Sequence, residues 1–125
     1  EVSYKNISLK SGLKYKIVMN DGVIEIGKTK VKVLKTISEG GFGIVYLAEH
    51  HAKPGLKLAL KKVITQDEER YNLTMKELKF LQTHCTPPNQ HLINYYDSKV
   101  VEEGNRRHVF YILIEYNYQV IYFIK

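Results

Sequence analysis

The chain has 125 residues, 44% of them apolar with ten tyrosines and four phenylalanines, which suits one folded domain with a modest core and argues against disorder. A formal net charge of +6 favours anionic partners without choosing between nucleotide, nucleic acid and membrane surface. The single cysteine, Cys85, excludes an internal disulfide framework and a cysteine-based zinc site, and no apolar run approaches the ~20 residues of a membrane-spanning helix.

In chain order, Glu1 to Gly12 is polar and weakly patterned and reads as a tail or edge segment, without a signal-peptide pattern; a start at Glu1 rather than Met suggests a fragment. Lys14 to Met19 and Val23 to Ile26 are β-branched runs separated by Asn20-Asp21-Gly22, so Asp-Gly predicts a hairpin between them. Val31 to Ile37 is a further strand. A glycine-rich turn follows, and then a partner strand from Ile44 to Glu49. Pro54-Gly55 marks a turn. Leu56 to Ile64 alternates, with Leu56, Leu58 and Leu60 on one face and Lys57, Ala59 and Lys61 on the other. Thr65 to His84 lacks Gly and Pro and predicts a helix, opened by a Thr65/Glu68 capping box and closed by Thr86-Pro87-Pro88. Leu92 to Tyr96 and His108 to Tyr116 predict two more strands, joined by a polar turn at Glu103-Gly104-Asn105. The class is α+β, with one substantial helix inserted between antiparallel strands.

Three phosphate-loop templates compete for the glycines. Gly22-Val-Ile-Glu-Ile-Gly27-Lys28-Thr29 spells a Walker A string. Its β-branched interior resists the tight loop that wraps phosphate, and β-patterned residues follow where a helix N-terminus is needed. A hairpin strand ending at Gly27 is the better reading. The dinucleotide fingerprint also requires a helix after its last glycine, but Ile44-Val45-Tyr46-Leu47-Ala48 is strand material. The third template is strand, glycine loop, strand, with a valine two positions beyond the last glycine. Gly40, Gly43 and Val45 match it.

Two further features join this loop. Leu58-Ala59-Leu60-Lys61 fits a V-A-I-K pattern one strand later. On the helix, Leu73, Glu77 and Leu81 are spaced by four, so Glu77 falls on an apolar stripe and calls for a cation; Lys61 is the candidate. Tyr111-Ile112-Leu113-Ile114 reads as a buried strand, followed by Glu115-Tyr116-Asn117. Together these segments resemble the N-lobe of a protein kinase from about Ile26 to Asn117. Ser38-Glu39-Gly40-Gly41-Phe42-Gly43 and the entry Glu25-Ile26-Gly27 further resemble the Numb-associated kinase family, which includes the adaptor-associated and cyclin-G-associated kinases.

The resemblance implies a twisted five-stranded antiparallel sheet with one main helix and an extra N-terminal hairpin. Residues 1–25 would be an extension, 26–117 the N-lobe, and 118–125 an atypical tail. Ser38 and Gly40, Gly41, Phe42 and Gly43 would cover the phosphates of ATP. Lys61, held by Glu77, would contact the α- and β-phosphates, and Val45 and Ala59 would pack above adenine. Ile114 would be the gatekeeper, Glu115 and Asn117 would bond adenine through main-chain groups, and Leu81 and Tyr95 would belong to the apolar regulatory spine.

The implied activity is phosphoryl transfer from ATP to protein serine or threonine, with a clathrin-adaptor subunit as substrate and a cytoplasmic setting at endocytic membranes. H-R-D-x-x-x-x-N and D-F-G are absent from the 125 residues, so the base and the Mg²⁺ ligands are missing and the chain alone is expected to be inactive. No metal ligands are assigned within it. The apolar, glycine-free tail Tyr118 to Lys125 is expected to mark a truncation or a misread splice junction. Without a C-lobe the apolar surface that should meet one is expected to be exposed and to drive self-association. Two other functions remain open at this stage. One is a pseudokinase-like interaction module. The other is a basic β-rich nucleic-acid binder, which no basic stripe with interleaved aromatics supports. His50-His51 reads as a solvated pair, Cys85 as an ordinary half-buried residue, and Tyr95-Tyr96 as core packing.

Overall fold

The computed structural model describes residues 2–5, 16–19, 22–41, 43–85 and 93–116, the first two segments as backbone only. Val2–Lys5 (β1) and Lys16–Met19 (β2) pair antiparallel in a separate two-stranded sheet. The main sheet has six strands: β3 (Val23–Ile26), β4 (Thr29–Gly40), β5 (Gly43–His50), β6 (Lys57–Thr65), β7 (Tyr95–Glu102) and β8 (His108–Glu115). Its order is β3-β4-β5-β6-β8-β7, antiparallel throughout.

Six strands replace the expected five because β3 joins the main sheet. Asn20-Asp21 of the expected hairpin turn lie outside the described residues, while β3 pairs with β4 from Val23↔Lys32 to Ile26↔Thr29. The turn lies at Gly27-Lys28, where Gly27 has φ +62. Val23, Ile24 and Ile26 are each about 95% buried or more, so β3 contributes to the core.

α1 (Glu68–His84) leaves the end of β6 and is capped by Asp67, whose side chain accepts the Arg70 N–H at 2.7 Å. The Thr65/Glu68 capping box is not used. Thr65 is the last residue of β6, fully buried and paired with His108. Glu68 and Glu69 in the first turn complement the helix dipole. The helix ends at Cys85, whose N–H donates to Leu81, before Thr86-Pro87-Pro88, which lies outside the described residues. Its buried residues are Thr74, Leu78 and Leu81, while Leu73 is 54% exposed. The expected stripe through Leu73 was therefore rotated from the real one.

Both faces of the sheet are apolar because each is covered by a different device. On one face Val45, Ala59, Val63, Phe110, Ile112 and Ile114 pack with Leu78, Leu81 and Cys85 from α1. On the other, Ile24, Ile26, Val31, Ala48, Leu58, Leu60 and Leu113 fill the inside of a nearly closed curl of the sheet itself. The curl is fastened where the β3–β4 turn meets β7. Asp97 accepts hydrogen bonds from the Lys28 N–H (2.9 Å) and the Thr29 hydroxyl (2.8 Å). A Cβ at Gly27 would overlap the Asp97 carboxylate. β7 begins later than the expected Leu92–Tyr96 and runs longer, with a bulge between Tyr95 and Asp97. Its Asp97-Ser98-Lys99 interior is half-buried, and those polar residues hid the strand from an apolar-pattern reading.

Candidate functional site

The glycine segment is the hairpin between β4 and β5, closed by Gly40↔Gly43. Ser38 faces Val45 in the ladder, and Gly40 and Gly41 are exposed with open space where a Cβ would stand. Gly43 differs: a Cβ there would collide with the Lys62 carbonyl of β6, so close strand approach alone demands glycine. Phe42 and Asn117 lie outside the described residues. The Walker A string is split by the fold into β3, the Gly27-Lys28 turn and the start of β4, with no helix after Thr29.

Register places the remaining candidates in two rows on the helix-covered face. Val45 pairs with Lys61, and Lys61 with Ile112. One row along, Leu47 pairs with Ala59, and Ala59 with Ile114. From the middle of the first row the Lys61 ammonium donates to Glu77 Oε1 of α1 at 2.8 Å. The two side chains are 21% and 44% exposed, so the pair is reachable by solvent and contributes little to folding, about 0–1 kcal/mol. Its effect is to hold a lysine ammonium on the sheet face beside the glycine hairpin. Leu81 is buried in the same cluster, and Tyr95 packs against it.

Val45, Ala59 and Ile114 are only 6%, 0% and 3% exposed. They share a buried cluster with Leu78, Leu81 and Cys85. The large apolar side chains that do stand exposed among the described residues, Leu34, Leu73, Phe80 and Val100, are none of the residues matched to the adenine surface.

Three arrangements had no sequence signal. Glu115 is clamped to Asn94: its side chain accepts the Asn94 N–H at 2.8 Å, and its own N–H donates to the Asn94 carbonyl at 2.9 Å. Asp97 fastens the curl. Gln82 of α1 reaches the hydroxyls of Tyr95 and Ser98, which are 2.6 Å from each other.

The other groups carry less. His50 Nδ1 accepts the Ala52 N–H in a turn, and no group of three or more potential metal ligands occurs among the described residues. Burial pushes the Cys85 thiol up, away from nucleophilic thiolate chemistry. A cross-strand ion pair, Lys57 Nζ to Glu49 Oε2 at 2.7 Å, holds the Glu49 carboxyl below its ordinary range. No described helix is long and apolar enough to cross a membrane.

A curled antiparallel sheet with one helix is compatible with the α+β N-lobe of a protein kinase. No family model matches the chain. Over 95 residues, 74% of its length, it is 30% identical to the serine/threonine-protein kinase ppk30 of Schizosaccharomyces pombe (strain 972 / ATCC 24843). The chain spans 9% of that protein. The similarity supports a relationship to serine/threonine protein kinases.

Proposed function

We propose that this chain is the ATP-binding lobe of a serine/threonine protein kinase. The observation that carries the reading is the 2.8 Å Lys61–Glu77 contact on the sheet face that also bears the glycine hairpin. Kinase phosphoryl transfer is mostly positioning and charge neutralisation, and a strand lysine paired with a helix glutamate is one of its required parts. In this reading the main chain of Gly40 to Gly43 covers the phosphates and Lys61 meets the α- and β-phosphates. Ile114 is the gatekeeper, and Glu115 and Asn117 supply the adenine hydrogen bonds. The 125 residues contain no H-R-D-x-x-x-x-N or D-F-G segment, so no catalytic base or Mg²⁺ ligand is assigned among them. The Ser38 to Gly43 stretch supports membership of the Numb-associated group, and with it a clathrin-adaptor substrate at cytoplasmic faces of endocytic membranes.

The test is thermal stability with and without Mg-ATP. Stabilisation of the unaltered chain that disappears in Lys61→Ala supports the reading. Equal stabilisation of both proteins, or of neither, refutes it.

A further inference from the structure

We infer that the Tyr95 hydroxyl, with Ser98 and Gln82, is a positioning device that sets the roll of α1 and so brings Glu77 to Lys61. Three observations carry this. The Tyr95 and Ser98 hydroxyls are 2.6 Å apart, and the Gln82 side-chain amide donates to them at 3.3 and 3.5 Å. The Tyr95 N–H also donates to the Cys85 carbonyl at the helix C-cap, so the same residue grips the helix end through its main chain. Finally, the polar ties flank the buried stripe. At about 100° per residue, Leu81, Leu78 and Gln82 lie about 40°, 100° and 140° round the helix from Glu77.

Glu77 thus reaches β6 from one side of Leu78 and Leu81, while Gln82 reaches β7 from the other. Apolar contact is non-directional, so the packed face of Tyr71, Met75, Leu78 and Leu81 sets which side meets the sheet but not the fine roll of the helix on it. A polar tie on each flank removes that freedom. Rolling α1 to withdraw Glu77 from Lys61 drives Gln82 toward β7, where the hydroxyl pair already stands. Tyr95 occupies a spine position by resemblance. Its ring packs with the apolar cluster, and its hydroxyl does the positioning.

The Lys61–Glu77 geometry does not depend on nucleotide, but its consequence for binding rests on the proposed function. The experiment therefore reads the two separately. A carbodiimide joins a carboxylate to an amine only in direct contact, and the Lys61–Glu77 cross-linked peptide is quantified by mass spectrometry in the full chain. Tyr95→Phe and Gln82→Ala each remove two of these contacts and are expected to lower its yield roughly fivefold. Ser98→Thr, which keeps the hydroxyl, is expected to match the unaltered chain. A purely structural role would lower the melting temperature and leave the yield unchanged, and that result overturns the inference. Should Tyr95→Phe fail to fold, Gln82→Ala decides, because Gln82 is exposed and its loss opens no cavity. Reduced cross-linking in the variants, with no Mg-ATP stabilisation of the unaltered chain, would keep the positioning device and reject the nucleotide reading.

Discussion

Gly27→Ala and Asp97→Ala should be strongly coupled, and the coupling can be worked from the latch that closes the sheet. Asp97 receives the Lys28 N–H and the Thr29 hydroxyl on one oxygen and the Ser98 N–H on the other. Its partners are partly exposed and can turn to water, so Asp97→Ala should cost about 2 kcal/mol rather than the sum of three charged hydrogen bonds. Gly27→Ala has two costs. Its φ of +62 suits glycine and penalises alanine by about 1 kcal/mol. The new Cβ also displaces the Asp97 carboxylate and forfeits the latch, for a total of about 3 kcal/mol. Without the aspartate that collision is gone, and Gly27→Ala should then cost only about 1 kcal/mol. The double variant is therefore expected near 3 kcal/mol, where additivity would give about 5. Urea unfolding of the four proteins, compared at their midpoints, measures the difference. Additive losses, within about 0.5 kcal/mol, would refute the latch.

Asp67→Ala should destabilise by about 1 kcal/mol through loss of the helix cap, seen in urea unfolding, and Glu68→Ala by much less. Gly43→Ala should lower the melting temperature sharply because the Lys62 carbonyl blocks a Cβ, whereas Gly40→Ala and Gly41→Ala should fold normally; calorimetry separates them. Burial first, then the Glu103 and Tyr46 side chains, pushes the Tyr111 phenol up to about 12. An unfolded tyrosine ionises near 10, so the unfolded chain releases its proton first. Stability from this group is whole below about pH 10 and is lost as pH rises toward about 12, by at most roughly 3 kcal/mol. Tyr111→Phe should weaken that alkaline loss, followed by unfolding midpoints across the range.

Much of the site was legible because its parts are local. The Leu58/Leu60 against Ala59/Lys61 alternation gives β6 its two faces, and one register step then puts Lys61 opposite Val45. The pairing of Lys61 with Glu77 was reached through a stripe that included Leu73, which the fold leaves exposed. Spacing by four identifies neighbours on a helix but not which side meets the sheet. Tyr71, Met75 and Leu78 settle that, because together with Leu81 they complete the face packed on the strands. The strand Val23–Ile26 was read with its observed bounds, and its place in the main sheet was missed for a different reason. Asp-Gly is a strong local turn signal, yet β3 is committed by Ile24 and Ile26 entering a core with Leu58, Leu60 and Leu113, far along the chain. The Asp97 latch and the Gln82–Tyr95–Ser98 contact are likewise non-local, linking residues by polar atoms that no hydrophobic period records. Thr65 and Asp67 are two positions apart and both are acceptable caps; strand pairing of Thr65 with His108 leaves the role to Asp67.

The central claim is that the sheet face under the glycine hairpin receives a nucleotide held by Lys61. Its most direct measurement is an amide NMR titration of the chain with Mg-ATP. The account predicts saturable shifts concentrated at Gly40, Gly41, Gly43, Lys61 and Glu115, abolished in Lys61→Ala. Shifts scattered over the surface lysines, or the same shifts in Lys61→Ala, would contradict it.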